Sequence, residues 1–353
     1  MDFALLFRGF NSGPSKPDTG PRVLVAKNGP LTYSETFIRD HVETIPAAAT
    51  WFRKVGLSDS RRMVEHIVRQ GLQVVLAEYA TTGTRIAPIC RASGLPLVTY
   101  VHGYDVFRRS TVQRDRAAWP TLFCTSQFVI AASKSIAMRL LEIGAPASKI
   151  VHIPCVAVDT GLRVYGPNGN LKTFLYIGRF VPKKAPDAVI RAFLRASNDR
   201  SDCRLLMLGD GEMWQGCRDF VARAGARDKV LLPGRASRCR VREAMRTSFA
   251  FVNHSVPASD GDMEGTPVTI FEAARAGLPI LASRHAGIED ILTEQTGCLV
   301  EPKDNEGLER GFRKLIEEPL YASDLAAATQ TQFEFMNSVA ILRSVLAEAA
   351  RRG

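Results

Sequence analysis

Two glutamates eight residues apart, Glu264 and Glu272, are the residues of this 353-residue chain whose types and spacing first suggest joint chemistry. They lie in DMEGTPVTIFEAARAGLPILAS, Asp262 to Ser283, which reads as loop, helix, turn and strand. Thr266 is expected to cap the helix with its hydroxyl, and Pro267 suits the first helical position because its missing N–H would have had no partner there. Gly277 fits the left-handed residue that closes a helix, and Pro279 begins a short buried strand. At about 1.5 Å rise per residue a mostly helical segment puts the carboxylates about 12 Å apart. A glycoside hydrolase needs its pair at about 5–5.5 Å or about 6.5–9.5 Å, so that chemistry is excluded. The spacing suits instead two ends of one extended ligand such as a nucleotide-sugar, whose diphosphate would meet the N–H groups and dipole of the helix start between them. A surface helix with two solvated glutamates is the alternative.

The residues around the pair favour the ligand. EGTPVTIFEAARAGLPILAS, followed by RHAGIEDIL and GCLVEP, resembles the donor-site signature of glycosyltransferase family 4, retaining enzymes of the GT-B fold. The resemblance implies an α/β chain of two Rossmann-like domains with parallel sheets facing a central cleft. It implies that Glu264 contacts hydroxyls of the donor sugar, that Glu272 holds the ribose, and that Gly265, Thr266 and Pro267 complete the donor loop. The implied reaction moves a hexose from a UDP- or GDP-sugar to a hydroxyl of a glycan or lipid-linked glycan, without a cofactor. The SETFI and HGYD variants are similar to those of bacterial transferases of exopolysaccharide assembly.

The elements that would position these residues alternate between strand and helix. RVLVAK (22–27) reads as a first strand, broken by Asn28-Gly29-Pro30, and a helix from Ser34 carries Phe37, Ile38, Val42 and Ile45 at helical spacing. A helix near Arg61–Gln70, the strand QVVLAEY, another helical stretch, and strands LPLVTYVHG, TLFCTS and IVHIP follow. Such alternation argues for a parallel sheet whose ligands gather at the carboxyl ends of strands. His102-Gly103-Tyr104-Asp105 stands at such an end. The family resemblance places His102 near the transferred sugar and Ser34, Glu35 and Asp105 with it on the acceptor side. Compared with the family this domain is short between His41 and Gly71 and again after Asp105.

A second βα series starts at TFLYIGRF (Thr173), with a helix over 186–196, CRLLMLGDG, a helix around 213–224, KVLLPGR and SFAFVNHS. Its first three strands run into glycine, which allows close backbone approach to a ligand or a sharp turn. GRFVPKKAPD from Gly178 resembles the family's phosphate-binding segment, in which Arg179 and Lys184 would grip the donor diphosphate and stabilise the leaving group. The family has glycine after that lysine where this chain has Ala185, so Lys183 remains an alternative. Asp260-Gly261-Asp262 matches a metal-binding D-x-D pattern, but in family 4 a GD-x-EG loop is common and side chains with a helix end replace the cation; no metal is expected. The expected domains are 1–160, a Gly- and Asn-rich linker 161–171, 172–330, and a final helix 331–353 that in GT-B enzymes crosses back to the first domain.

The composition, 46% apolar and 23% charged, is that of a globular protein. There is no run of 18 apolar residues and no cleavable leader pattern, which leads to the expectation of a cytoplasmic protein. Seven scattered cysteines without a C-x-x-C pair read as free thiols. The net charge of +10 is uneven: residues 1–165 hold 20 Lys and Arg against 12 acids, and the remainder 26 against 24. That asymmetry points to an anionic partner of the first half, with peripheral contact to an anionic membrane the expectation. Nucleic-acid binding is disfavoured, because the basic residues fall in short pairs with no aromatic stacking pattern beside them. Another GT-B activity, such as an epimerase or phosphorylase, or a non-catalytic nucleotide-sugar sensor, is the remaining alternative.

Overall fold

The computed structural model describes residues 20–45, 48–55, 57–155, 171–318, 321, 323–328 and 338–353. The arm 1–19, nearly all of the expected linker 161–171, and Phe335 of the final helix lie outside these residues. The chain divides into two compact units. One takes residues 1–158, 260–266 and 337–353; the other takes 159–259 and 267–336. Residues 260–266 thus group with the first unit although their sequence neighbours on both sides belong to the second.

The first unit is built on six parallel strands: β1 (Val23–Asn28), β2 (Ala49–Arg53), β3 (Val74–Glu78), β4 (Leu97–Val101), β5 (Ser126–Ala131) and β6 (Ile150–His152). Their order is β2-β1-β3-β4-β5-β6. Every residue of β3 and β4 is buried, as expected of strands covered on both faces. Helix Ser338–Arg352 packs on β3, β4 and β5, burying Leu342, Val345 and Leu346, and the Arg352 guanidinium lies 5.0 Å from the Phe128 ring centre.

Local chemistry moved two expected boundaries, and one strand was not expected at all. TLFCTS is not a strand: Trp119–Thr125 is helical, with Pro120 in its first turn, and the strand begins at Ser126. Helix Thr36–Thr44 starts two residues after Ser34, because Glu35 turns back to accept from the Thr32 amide at 2.7 Å and to pair with Lys27 at 2.9 Å. Strand β2, with the partly polar sequence ATWFR, gave no alternating or continuous apolar signal.

The second unit repeats the plan with β7 (Lys172–Ile177), β8 (Cys203–Leu208), β9 (Val230–Gly234), β10 (Ala250–Asn253), β11 (Ile280–Ser283) and β12 (Cys298–Val300), all parallel. The order β12-β11-β10-β7-β8-β9 reverses direction between β7 and β10, the switch point beside which ligands of such sheets bind. Its core centres on Phe174, Phe193 and Phe312, whose rings meet pairwise at 5.1–5.9 Å. The seven cysteines are free, as expected.

The glycines after β8 do packing work. A Cβ on Gly209 would stand 1.9 Å from the Gly178 carbonyl oxygen, and one on Gly211 would stand 2.4 Å from that of Phe180. Both also hold φ in the left-handed region, +137° and +152°. Gly209→Ala should therefore lower unfolding free energy by about 3 kcal/mol or more, a severe loss with a named backbone clash behind it. Gly216→Ala, on the exposed helix Trp214–Arg223 with nothing within 4 Å, should be neutral or stabilising by about 0.5–1 kcal/mol. Urea unfolding midpoints of the two variants check both.

Candidate functional site

In the first unit the strand ends converge on the H-G-Y-D turn. His102 follows β4 and caps a one-turn helix, Gly103–Phe107, in a reciprocal box with Asp105, whose Oδ2 accepts from the His102 amide at 3.0 Å and whose Oδ1 accepts from that of Thr81 at 3.2 Å. Burial raises the Asp105 pKa, against the pull of His102 and of the His102, Ala80 and Thr81 amides. Behind His102 lies Glu78 at the end of β3, fully buried. Its Oε1 is 2.6 Å from His41 Nδ1 and its Oε2 is 3.6 Å from His102 Nε2. Burial alone would raise the Glu78 pKa, but the two histidines bring it down to about 2. Burial likewise works against a cationic His102, and the Cys155 sulfur 3.7 Å from its Nδ1, together with Glu78, raises it to about 10.

The acceptor-side candidates do not all join this cluster. Glu35 is buried and interacts with Tyr79, whose ring centre is 4.8 Å from that of His102 and whose backbone holds a strained φ of +74°. Ser34 stays exposed, 3.3 Å from the Thr32 hydroxyl.

The Glu264 loop belongs to this same unit. A Cβ on Gly103 would lie 2.4 Å from the Met263 carbonyl oxygen and 3.1 Å from the Gly265 nitrogen, so the E-G-T loop rests directly on the H-G-Y-D turn. Thr266 does not cap the following helix; its hydroxyl donates to the Ala132 carbonyl. Pro267 is accordingly the N-cap, not the first helical residue, of helix Val268–Arg275. Asp260 is held by Arg108 at 3.0 Å and by Arg109, whose amide donates to its carbonyl, and its Oδ1 accepts from the Asp262 amide. The carboxylate that the D-x-D pattern would offer to a cation is thus engaged by protein donors.

In the second unit the loop after β7 carries Gly178 and exposed Arg179, and its backbone interlocks with the next loop: the Phe180 amide donates to Asp210 at 2.7 Å. Across the switch point the Val256 amide donates to the Lys183 carbonyl at 2.8 Å. Lys183 is buried and Lys184 half-buried in a tight turn ending at Ala185, which adopts φ +36°, ψ +51°. A left-handed backbone is what glycine adopts most readily, so the family's glycine suits the conformation that Ala185 holds. Glu272 lies half-buried on helix Val268–Arg275, in the second unit.

Sequence reasoning missed Glu78, His41, Tyr79 and Cys155 around His102, and His254 after β10. The signal for Glu78 was present: an acid ending the wholly apolar run VVLA at a carboxyl strand end has no reason to be there without partners. His254 had a similar signal, being a buried polar residue that directly follows the buried strand AFVN.

Two parallel six-stranded α/β units, each with its polar residues at carboxyl strand ends, define a GT-B architecture. Residues 21–160 match the family Glycosyltransferase Family 4 and residues 159–332 match Glycosyl transferases group 1. The chain belongs to glycosyltransferase family 4. It is 26% identical over 250 residues to the amylovoran biosynthesis glycosyltransferase AmsK of Erwinia amylovora, a match covering 69% of this chain and 61% of AmsK, less than two thirds of its length. It is 24% identical over 284 residues to a GDP-mannose-dependent alpha-(1-6)-phosphatidylinositol monomannoside mannosyltransferase of Mycolicibacterium smegmatis, covering 76% and 73%. The fold is similar to that of Anabaena Alr3699/HepE in complex with UDP and glucose, with TM-score 0.78, 15% identity, and coverage of 94% of this chain and 100% of that one.

His254 gives this region a pH signature. Burial, reinforced by His285 and opposed by Asp304 and Asp187, lowers its pKa from 6.5 to about 4. A histidine held neutral in the fold stabilises above its unfolded pKa, and the contribution disappears as pH falls from 6.5 toward 4. At about 1.4 kcal/mol per pKa unit this is on the order of 3 kcal/mol. Unfolding free energy should fall less steeply over that window in His254→Asn than in the wild-type chain, as chemical denaturation at stepped pH would measure.

Proposed function

We propose that this protein is a retaining glycosyltransferase that moves a hexose from a UDP- or GDP-sugar to a hydroxyl of a glycan or lipid-linked glycan. The observation that carries the reading is the β7 turn, where Gly178 and Arg179 stand beside the switch point and the chain continues into the Lys183–Ala185 turn. Arg179, Lys184 and the helix start at Pro267 take the donor diphosphate, and their fixed charge stabilises the leaving nucleoside diphosphate without solvent reorganisation. Glu272 holds the ribose and Glu264 the sugar hydroxyls, with Gly265 and Thr266 shaping that loop; His102, Asp105 and Glu35 stand on the acceptor side. Substitution proceeds on the front face, with the departing phosphate helping to deprotonate the acceptor. No metal is required, since side chains and a helix end supply the positive charge. The relatives support the acceptor class: amylovoran biosynthesis in one name and a phosphatidylinositol mannoside in another.

The experiment is transfer from radiolabelled UDP- and GDP-sugars to lipid extracts, in buffer with and without a chelator. Arg179→Ala and Lys184→Ala should each lower kcat by about a hundredfold, as removal of one preorganised charge-stabilising donor does elsewhere. Glu272→Ala should weaken nucleotide binding, and Glu264→Ala should reduce turnover with less effect on the free nucleotide. Equal loss of nucleotide affinity in the last two would contradict their roles, damage from Lys183→Ala alone would move the grip to that residue, and activity lost in EDTA would restore a role for a cation.

We further propose reversible docking of the first unit on anionic membranes, where a lipid-linked acceptor would be met. Among the described residues no helix is long and apolar enough to cross a membrane. Arg53, Lys54, Arg61, Arg62 and Arg109 are exposed, and Val68 beside Arg69 is 73% exposed. Arg108 is half-buried and paired with Asp260, and Arg61 and Arg114 pair with Glu65 and Asp115. Each exposed cation contributes about 1 kcal/mol at an anionic surface, screened over about 8 Å at physiological salt. Co-sedimentation with phosphatidylserine vesicles should be strong at low salt and lost at high salt; equal binding to neutral vesicles would refute an electrostatic contact.

A further inference from the structure

We propose that Glu78 is a positioning residue of the transfer site: its two oxygens bracket His41 and His102 and so fix the His102 ring behind the H-G-Y-D turn. The argument starts from cost. A carboxylate ending the buried run VVLA loses its hydration, and apolar residues in its place would cost nothing of the kind. What it gains is geometry. His41, Tyr100 and His102 form three near-parallel rings, at 5.3 Å and 16° for the first pair and 5.0 Å and 15° for the second. Tyr100 in the middle is anchored by its hydroxyl, which donates to the Ile153 carbonyl at 2.7 Å. Glu78 faces both outer rings, at 2.6 Å from His41 and 3.6 Å from His102, so one carboxylate stands against both ends of the stack.

The two contacts differ. His41 Nδ1 is within hydrogen-bond distance, whereas Glu78 Oε2 and His102 Nε2 stand 3.6 Å apart, both enclosed and neither with another hydrogen-bond partner. That separation is too long for a hydrogen bond, and a small ring rotation closes it. Phe37 and Tyr79 flank the ring at 4.7 and 4.8 Å, limiting other movement. His102 therefore has one defined adjustment, toward Glu78. The titratable groups facing the pair are His41, Tyr79, Tyr100, Cys155 and Asp105; Glu35 reaches it through Tyr79. With the Cys155 sulfur and the carboxylate beside it, His102 is held toward its protonated form, and replacement of the carboxylate by an amide of the same shape removes its share of that hold.

The catalytic consequence rests on the transferase reading above; the bracket does not, and two readouts separate them. In the full chain labelled with ¹³C,¹⁵N-histidine, the imidazole titration of His102 should move down by at least about one unit in Glu78→Gln, a tenfold loss in proton affinity, as removal of an adjacent opposite charge does. In steady-state transfer the same variant should lose about tenfold or more in kcat, the range found where carboxylates orient functional histidines at metal sites, with donor KM nearly unchanged. Its activity should also decline as pH rises through the lowered His102 value. His41→Gln, which leaves the carboxylate to His102 alone, should move the His102 titration the opposite way, upward, and serves if Glu78→Gln does not fold. An unchanged His102 titration in both variants, or wild-type kcat and pH profile in Glu78→Gln, overturns the proposal. A shifted titration in a chain that transfers no sugar supports the bracket and removes the transferase reading.

Discussion

Close backbone approach between loops is the constraint on which both units depend. Four times among the described residues a carbonyl oxygen occupies the space where a side chain would begin: Gly178 against Gly209, Phe180 against Gly211, Met263 against Gly103, and Phe107 against Gly261. Each contact joins loops that leave carboxyl ends of parallel strands or rest on them, and each leaves backbone amides and short polar residues at the rim instead of bulky side chains. A diphosphate needs such a surface, because N–H groups and cations must come within hydrogen-bond distance from several directions. The glycines therefore set how near the working groups stand.

The first unit meets a second constraint, the solvation of charge at the end of a buried sheet. Glu78 and His102 lie where the sheet offers few backbone partners, and the structure answers with a paired carboxylate and a ring stack. A partly satisfied buried network is costly, which makes the 3.6 Å separation between Glu78 and His102 an energetic feature as well as a geometric one.

Much of this was legible in the residues. Alternating apolar strands and amphipathic helices predicted two parallel α/β units, and glycine after β7 and β8 marked where two loops of the second unit meet closely. TLFCTS misled because a short apolar run is the same for a buried helix and a strand, and Pro120 in a first helical turn decides for helix only when that turn is already known. Thr266 misled because its hydroxyl met the Ala132 carbonyl, a partner 134 residues away that no local rule anticipates. Ala185 adopts a left-handed backbone that glycine takes more readily, a conformation its residue type did not announce. The company of His102 was hidden for a similar reason, since His41, Glu78 and Cys155 come from three separate elements and only the sheet order brings them together.

The helix Ser338–Arg352 packs on strands that were complete by His152. On a ribosome adding about 5–20 residues per second, the first unit's sheet must wait for roughly 190 further residues, about 10–40 s, before that cover arrives. Throughout this interval the apolar face meant for Leu342, Val345 and Leu346 is open, while the segment 260–266 emerges among residues of the other unit. The order of synthesis thus leaves that apolar face uncovered until the fifteen-residue helix Ser338–Arg352 has emerged.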